Sequence, residues 1–521
     1  MNLKDIFITN FNTFFKWRKA KLVKALIALR DKYLQLQSSV NQLEKENTQL
    51  KEQLEKDKIK ATNKEVNKPS SKQAEWEKGG SKKKDKGKKK RRGRKQKPRQ
   101  GAGNRTKNIK PNQTATASVE QCDLCGKDLS NQPPLKSTNE RIIEDIPDPP
   151  EETNVTLVTQ QKKYCGDCQE VITAKSDLAL PGADIGLNAT VLACYLWVAV
   201  CMPYTKIKEY LGTFFRFSIS TSGLSRHVIW VAEIMKSVHA EILMLINNGS
   251  ILQADETGWR VRGSAWWLWV FGTQDAAYFT VDKTRGSTVV RRVLGEIFFG
   301  VLVVDGWNAY LYLLCEQQSC LSHLFRKIRK FRDAFPHLTD IVKFYLKFRR
   351  IIRDGERLQH NREELGEIVF QRRLARLKKR LADLVNWPDP DSILEEIIKK
   401  VKRQQPRILT FVEHPNVPFH NNYAEYLIRI GVLKRKISGG SVSAEGAEAY
   451  AILLSIYVTC KLRGMSFHKY LKKSLKHYIK TGKPLSLEAY RDTTGTVPEV
   501  KKAAYPGKSL RIFVVVSMNS L

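Results

Sequence analysis

The stretch Ile251-Leu-Gln-Ala-Asp255-Glu-Thr-Gly-Trp259 decides the fold. A short apolar run ends in an acid, and Thr-Gly follows. This reads as a buried strand that delivers a carboxylate at its end. The same logic returns at Val301-Leu-Val-Val-Asp305-Gly-Trp-Asn308. A strand packs through its apolar residues, so neither Asp255 nor Asp305 has a core role. Acids in such places are costly unless paired or metal-bound. Taken singly, each could also be a strand-end acid capping a turn.

Between these two runs the pattern reads strand, strand, helix. Residues 265–272 are rich in Trp, 277–282 alternate, and 287–296 have a helical pattern. With 251–255 before and 301–305 after, the order is strand, strand, strand, helix, strand. That order predicts an α/β core with a ribonuclease-H-like mixed sheet. In that fold the first and fourth strands lie side by side, so their carboxylates could share metal ions.

A third acid comes far downstream, in Phe419-His-Asn-Asn-Tyr-Ala-Glu425-Tyr-Leu-Ile-Arg429. Asn421 or Asn422 can cap a helix that carries Glu425 in its first turns. Alone, Glu425 would read as an exposed helix acid paired with Arg429 one turn on. Three carboxylates on separate elements form a loose set of hard oxygen ligands. Such a set suits magnesium, which keeps several waters and binds substrate phosphates. Between Asp305 and Glu425 lie 119 residues, too many for a simple connection. Residues 323–380 of this stretch are mostly helical and carry a net charge of +11. They predict a helical insertion over about 325–410 that holds DNA near the metals. His323 reads as a structural residue, with zinc binding by Cys320 and His323 as the lesser option.

With these residues quoted, the chain resembles the DDE transposases of the bacterial insertion-sequence 66 family. The resemblance lies in Asp255-Glu-Thr-Gly258, Asp305-Gly306 with Tyr310, Cys320-Leu-Ser-His323 with Arg326-Lys327, Asn421-Asn422 with Ala424-Glu425, Arg435-Lys436, and Gly446-Ala-Glu448 with the helix to Lys461. It covers most of the chain, from the coiled coil to about residue 475. Two positions depart from the family's pattern: His420 stands where Asp is common, and Tyr426 where Arg often follows the Glu. The resemblance implies metal-dependent strand cleavage and strand transfer. Its catalytic and metal-binding residues would be Asp255, Asp305 and Glu425, with two Mg2+ or Mn2+ ions per site. It also implies small companion proteins of the same element.

The N-terminal part reads separately. Leu26, Leu29, Tyr33, Leu36, Val40, Leu43, Leu50 and Leu54 alternate steps of three and four, with Asn47 at the remaining core position. Leucines at one seam position and one buried Asn favour a parallel two-stranded coiled coil, hence a homodimer or higher multimer. An amphipathic helix packed on its own protein is the alternative. Residues 81–110 hold sixteen Lys or Arg and one acid, for a net charge of +15. Such a segment cannot bury a core and is expected to be disordered when free. Lys88, Lys89, Lys90, Arg91, Arg92 and Arg94 are its densest cations, suited to gripping DNA; a solubilising linker is the bland alternative. Cys122-Asp-Leu-Cys125 and Cys165-Gly-Asp-Cys168 are two halves of a tetrahedral thiolate site, which predicts a structural Zn2+. Residues 204–214 and 222–245 read as a short helix, a turn and a longer capped helix. They could be a helix-turn-helix, or two core helices without DNA contact.

The chain has 521 residues, 42% of them apolar, and a formal net charge of +37. That charge argues for a polyanionic partner, double-stranded DNA above all. A membrane is the competing polyanion, but the longest apolar run, near 190–202, is too short to span one. The N-terminus lacks the apolar core of a signal peptide, so a bacterial cytosolic setting with thiols or metal ligands is expected for the nine cysteines. The domains read as a coiled coil (1–60), a basic linker (61–115), a zinc-ribbon-like domain (116–180), a helical segment (181–250), the catalytic domain (251–460) and a C-terminal helical region and tail (461–521). Further DNA-contact candidates are Arg326, Lys327, Arg429, Lys434, Arg435 and Lys436. A zinc-containing DNA-binding protein, a nuclease of the same fold and a decayed transposase are the competing functions.

Overall fold

The structure is a computed structural model that describes residues 148–490 throughout, 112–115, 118–133, and a helix over 30–54 with scattered neighbours between 19 and 57. The basic cluster Lys88 to Arg94 and two coiled-coil positions, Leu26 and Leu29, lie outside the described residues. The chain divides into two compact units, one of 1–74, 158–207 and 221–521, the other of 75–157 and 208–220.

In the first unit, α1 (30–54) is helical without interruption. Leu36, Leu43, Leu50 and Leu54 on it are all more than 60% exposed. Next come β1 (Lys162–Cys165) and β2 (Glu170–Thr173), an antiparallel hairpin whose register pairs Cys165 with Glu170. Helices α2 (Leu187–Val198), α3 (Tyr204–Phe215), α4 (Thr221–Ile234) and α5 (Lys236–Asn247) follow, α3 ending in the second unit. The single helix expected over 222–245 is two helices, divided at Met235. Met235 is fully buried and accepts a bond from Ser474 at 3.6 Å. Helix α4 buries Leu224, Val228 and Val231 and packs on α14, described below.

The core is a five-stranded mixed sheet in the order β5-β4-β3-β6-β7. Its strands are β3 (Ile251–Val261), β4 (Ser264–Gly272), β5 (Ala277–Asp282), β6 (Ile297–Val304) and β7 (Leu314–Ser319), with α6 (Ser287–Leu294) between β5 and β6. The first three strands pair antiparallel, and β6 joins β3 in parallel, as does β7 to β6. The first and fourth core strands are therefore neighbours, as the element order predicted. One expectation fails: β3 does not end at Asp255. It runs through Glu-Thr-Gly to Val261, because β4 pairs with it residue by residue from Gln253↔Gly272 to Val261↔Ser264. Arg262 (φ 48°) and Gly263 (φ 77°) close this hairpin, the two positive-φ positions that a type I′ turn requires. What ends near Asp255 is the parallel ladder with β6, whose last pair is Gln253↔Val303.

After β7 come α7 (Leu321–Ala334), α8 (Thr339–His360), α9 (Arg362–Leu365), α10 (Glu367–Val385), α11 (Ser392–Gln404), a 3-10 turn (Gln405–Arg407) and α12 (Thr410–Glu413). These helices fill the stretch between β7 and the segment that carries Glu425. They build one apolar cluster with the sheet, in which Val301 and Val303 of β6 meet Leu324, Ile328, Phe344, Phe348, Leu377 and Val401. Helices α13 (Asn422–Ser438), α14 (Ala444–Leu462) and α15 (Phe467–Thr481) complete the unit. Helix α13 is seated on the hairpin by reciprocal fit. A Cβ on Gly272 of β4 would stand 2.3 Å from Leu427 of α13, and one on Gly431 of α13 would stand 2.3 Å from Leu268 of β4. Helix α14 covers the sheet edge: Ser455 and Thr459 accept from the backbone N–H groups of Phe279 and Ala277 at 2.8 and 3.1 Å. An edge strand so bonded cannot recruit another chain.

Among the described residues, no helix is long and apolar enough to cross a membrane. The second unit holds the Cys122–Cys125 loop, and Thr153 donates to the Phe215 carbonyl at 2.9 Å.

Candidate functional site

The three expected acids occupy three elements: Asp255 in β3, Asp305 at the end of β6, Glu425 in the first turn of α13. They are electrostatic neighbours. Burial first, then Glu256, Asp305 and Glu425 push the Asp255 carboxyl well above the usual carboxylate range, and His323 opposes them. Two of the carboxylates are held by backbone. Asp255 Oδ1 accepts from the Glu256 N–H at 2.9 Å, and Asp305 Oδ1 from the Trp307 N–H at 3.1 Å. Glu425 differs, since its buried Oε1 makes no hydrogen bond. Its ionic neighbour is the ring of His323 on α7, with Nε2 at 3.5 Å, where an Arg429 pair was the local expectation.

Two residues that local reading undervalued tie the acids together. Asn421 precedes α13, but its side chain caps nothing there. It reaches across the fold instead, and Nδ2 donates to the carbonyl of Ala254, the residue before Asp255, at 2.7 Å. The Asn421 N–H donates to Cys320 Sγ at 3.2 Å. The Cys320 N–H in turn donates to the carbonyl of Val304, the residue before Asp305, at 2.7 Å. Asn421 and Cys320 thus bind the backbones just ahead of both aspartates to the start of the helix that carries Glu425. Both are buried. Burial raises the Cys320 thiol, but His323 and the Asn421 N–H together lower it more, for a net depression. Burial likewise opposes a charge on His323, yet Cys320, Asp305 and Glu425 outweigh it and raise the imidazole to about 9. His323 is therefore part of the charge balance of the site.

A third network braces the other face of β3. Alternation turns Glu256 away from Asp255, and Glu256 is 3% exposed. Its Oε1 accepts from Arg285 Nε at 2.8 Å and Nη2 at 2.5 Å, and its Oε2 from the Tyr310 hydroxyl at 2.8 Å. Burial and Asp305 raise the Glu256 carboxyl to about 7, against the pull of Arg285 and Tyr310. The Arg285 guanidinium lies over the rings of Trp307 and Trp267, at 3.9 and 4.8 Å from their centroids. The one residue braces both strands that carry aspartates. The acid pair Asp255-Glu256 was visible in the sequence; its partners, 29 and 54 residues on, were not.

The cationic candidates fall on different sites. Arg326, Arg429 and Lys436 are exposed. Lys327 is half-buried, and so is Arg435, whose guanidinium donates to Thr257 Oγ1 at 2.9 Å and to the Gly258 carbonyl. Lys434 is 3% exposed, and its ammonium donates to the carbonyls of Met202 at 2.9 Å and Trp197 at 3.2 Å. An ammonium so occupied ties α13 to α2 and is not offered to DNA. The helical period held the signal: Leu427, Gly431 and Lys434 share one face, and that face is buried.

The cysteine pairs are built alike, each in its own unit. The Cys122 thiol is lowered by the backbone N–H groups of Leu124 and Cys125, and that of Cys165 by those of Cys168 and Asp167. All four are free thiols. N–H groups aimed at the first sulfur of a CxxC turn favour the thiolate, the form that zinc binds.

Among the described residues, no three His, Cys, Asp or Glu side chains form a ready-made metal cage. The donor chemistry around Asp255 nonetheless fits a hard divalent cation. Crowded carboxylates, one with a buried oxygen that makes no hydrogen bond, call for positive charge, and magnesium completes its shell with water.

Comparison with known proteins gives the family. The model of the family described as "Transposase IS66 family" matches residues 185–449, more than half of the chain, and includes all three acids. Three proteins of Sinorhizobium fredii (strain NBRC 101917 / NGR234) are similar, each named only as uncharacterized. One, y4jD, is 25% identical over 333 residues, 57% of this chain and 64% of that protein. The protein y4jO is 35% identical over 97 residues, 19% of this chain and 30% of that one, and y4qI is 22% identical over 280 residues, 47% and 50%. The chain thus spans less than two thirds of each relative's length. From residue 185 to 449, through sheet, insertion and the helix of the third acid, the chain belongs to the IS66 family of transposases.

Proposed function

We propose that the chain is a DDE transposase that binds the ends of an insertion sequence, cleaves DNA there and transfers the freed strand into target DNA. The observation that carries this reading is the mutual crowding of Asp255, Asp305 and Glu425, with a buried Glu425 oxygen that makes no hydrogen bond and faces the His323 ring. The sheet order, with β3 and β6 side by side, supports a ribonuclease-H-like core. Asp255, Asp305 and Glu425 would hold two Mg2+ or Mn2+ ions, which activate a water toward a phosphodiester and stabilise the leaving 3′ oxygen.

The chain's own residues do the rest. Asn421 and Cys320 fix the spacing of the three acids. Arg285, through Glu256 and Trp307, keeps β3 and the Asp305 loop in register. Arg326, Arg429 and Lys436 present exposed cations to the DNA backbone, which positions a duplex without reading it. In strand transfer the freed 3′-OH becomes the nucleophile. Its oxygen bonds to a target phosphorus, and the target's own 3′ oxygen leaves. No covalent protein–DNA intermediate forms.

Around this centre, the four cysteines would hold a structural zinc, since four thiolates leave the metal no open position for chemistry. The exposed leucine seam of α1 would pair with a second copy, giving a dimer or larger multimer in the cytosol. The basic tract at 81–110 would supply non-specific grip on double-stranded DNA, and companion proteins of the element would join the complex.

The test is a supercoiled plasmid carrying the element's two ends, incubated with Mg2+ or Mn2+ and the full chain, with and without companion proteins. Wild type should give metal-dependent nicked and joined products, and Asp305→Asn should give none while still binding the plasmid. Equal products from both proteins would overturn the assignment. Cutting without joining would favour a nuclease, and binding without products a DNA-binding protein or a decayed transposase.

A further inference from the structure

One cationic cluster stands beside the acids, and of its members only Lys327 has so far been given a role. Helix α11 and the 3-10 turn after it carry Lys400, Arg403 and Arg407, and α7 carries Lys327. Packing brings these elements together next to Asp305. The Gln404 side chain lies against Gly306, where a Cβ would stand 2.8 Å from Gln404 Oε1. Lys400 Nζ sits 4.7 Å over the ring of Phe331, one turn beyond Lys327 on α7. Arg407 donates to Gln317 Oε1 at 3.2 Å and to the Arg403 carbonyl at 3.5 Å.

Lys327, Lys400 and Arg407 are all close enough to Arg403 for its charge to disfavour theirs. Burial lowers Lys327, Lys400 and Arg407, and Arg403 lowers all three further. Two acids face the cluster, Asp305 toward Lys327 and Glu396 at 4.0 Å from Lys400. Three half-buried cations and one exposed one, gathered against two acids, are an excess of positive charge. A polyanion would offset it. Phosphates of a DNA strand have the right charge and spread, and the cluster adjoins the carboxylate assigned to cleavage.

We infer that Lys327, Lys400, Arg403 and Arg407 form a binding site for consecutive backbone phosphates of a DNA strand, and that this site leads the strand to Asp305. The inference rests on DNA being the substrate. It gives the helical insertion a defined task, which is to hold backbone on the β6 side of the acids.

The experiment uses the full chain and an end-labelled duplex of about 30 base pairs in EDTA, so that cleavage plays no part. The variants are Lys400→Gln/Arg403→Gln/Arg407→Gln, Lys327→Gln, and Arg403→Glu, the last at an exposed position where folding is not at risk. The control is Lys469→Gln/Lys473→Gln/Lys480→Gln on the exposed face of α15. Each lost phosphate contact lowers the slope of log K against log salt by about 0.9. The triple variant should therefore lose roughly 2 to 3 in slope, and Arg403→Glu about 1 or more. Ethylation of a short run of phosphates should weaken binding by wild type and cease to matter for the triple variant. An unchanged slope in the triple variant and in Arg403→Glu would overturn the site, as would an equal loss in the control. Those results would leave the transposase reading standing if wild type still cuts. Slope losses in the variants, beside a wild type that never cuts, would sink that reading and keep this site.

Discussion

Asn421→Ala removes the bond that joins the start of α13 to β3. The Ala254 carbonyl then loses a partner at 2.7 Å inside a buried segment. Leaving such a group unsatisfied costs about 1–3 kcal/mol. The Asn421 Oδ1 already makes no hydrogen bond, so its removal offsets a little of that. For a domain of more than about 150 residues, melting should fall by roughly 2–4 °C per kcal/mol, so about 2–12 °C in all. Cleavage should suffer more than stability. Glu425 stands one helical turn beyond Asn421, and a displacement of about 1 Å in a reacting constellation costs about 10²-fold. Asn421→Asp should be worse than alanine, because it also removes the donor and adds a carboxylate beside a crowded set. The assays are differential scanning calorimetry and initial rates of metal-dependent plasmid nicking, with binding to uncut duplex as the folding control. An Asn421→Ala protein that melts lower but cuts at the wild-type rate would refute the positioning argument.

Three further outcomes follow from particular contacts. Gly431→Ala should destabilise by about 1–3 kcal/mol through overpacking against Leu268, which stands 2.3 Å from the added Cβ, and should slow cleavage by moving α13; unchanged denaturant midpoints would contradict it. Burial lowers His239 to about 4, against its bond to the Phe279 carbonyl, while the unfolded chain takes up that proton near 6.5. Because the unfolded state binds more protons in this window, stability should fall as pH drops from about 6.5 to 4, by up to roughly 3 kcal/mol more than in His239→Gln; parallel pH profiles of the two proteins would disprove it. Zinc analysis of the purified chain should find one zinc per chain, lost in Cys122→Ser and in Cys165→Ser; zinc-free wild type would exclude the thiolate site.

Much of the core was legible because its strands are written in apolar and β-branched residues, and the neighbouring placement of β3 and β6 follows from element order alone. Strand β7 was not, because Leu-Cys-Glu-Gln-Gln-Ser looks like a loop. Its Gln317 and Gln318 are buried by polar bonding, Gln317 to the Tyr310 carbonyl and Gln318 to the Ile408 carbonyl. The length of β3 was hidden for a different reason. Thr-Gly breaks a strand locally, but a long hairpin partner overrides it, and only Arg262-Gly263 marks the real turn. Asn421 reads as a helix cap because its true partner lies 167 residues away. Lys434 sits in a run of cations that looks like surface, although its helical face is apolar. What a sequence shows poorly here is any polar residue whose partner is remote.

The account turns on whether Asp305 touches the ion that the cleavage needs. Asp305→Cys replaces a hard oxygen donor by sulfur, which magnesium binds poorly and manganese accepts more readily. The most direct measurement is strand cleavage by this variant in Mg2+ and in Mn2+, beside wild type. The account predicts cutting by wild type in both metals, none by Asp305→Cys in magnesium, and a return of cutting in manganese. Cutting by Asp305→Cys in magnesium at the wild-type rate would contradict it.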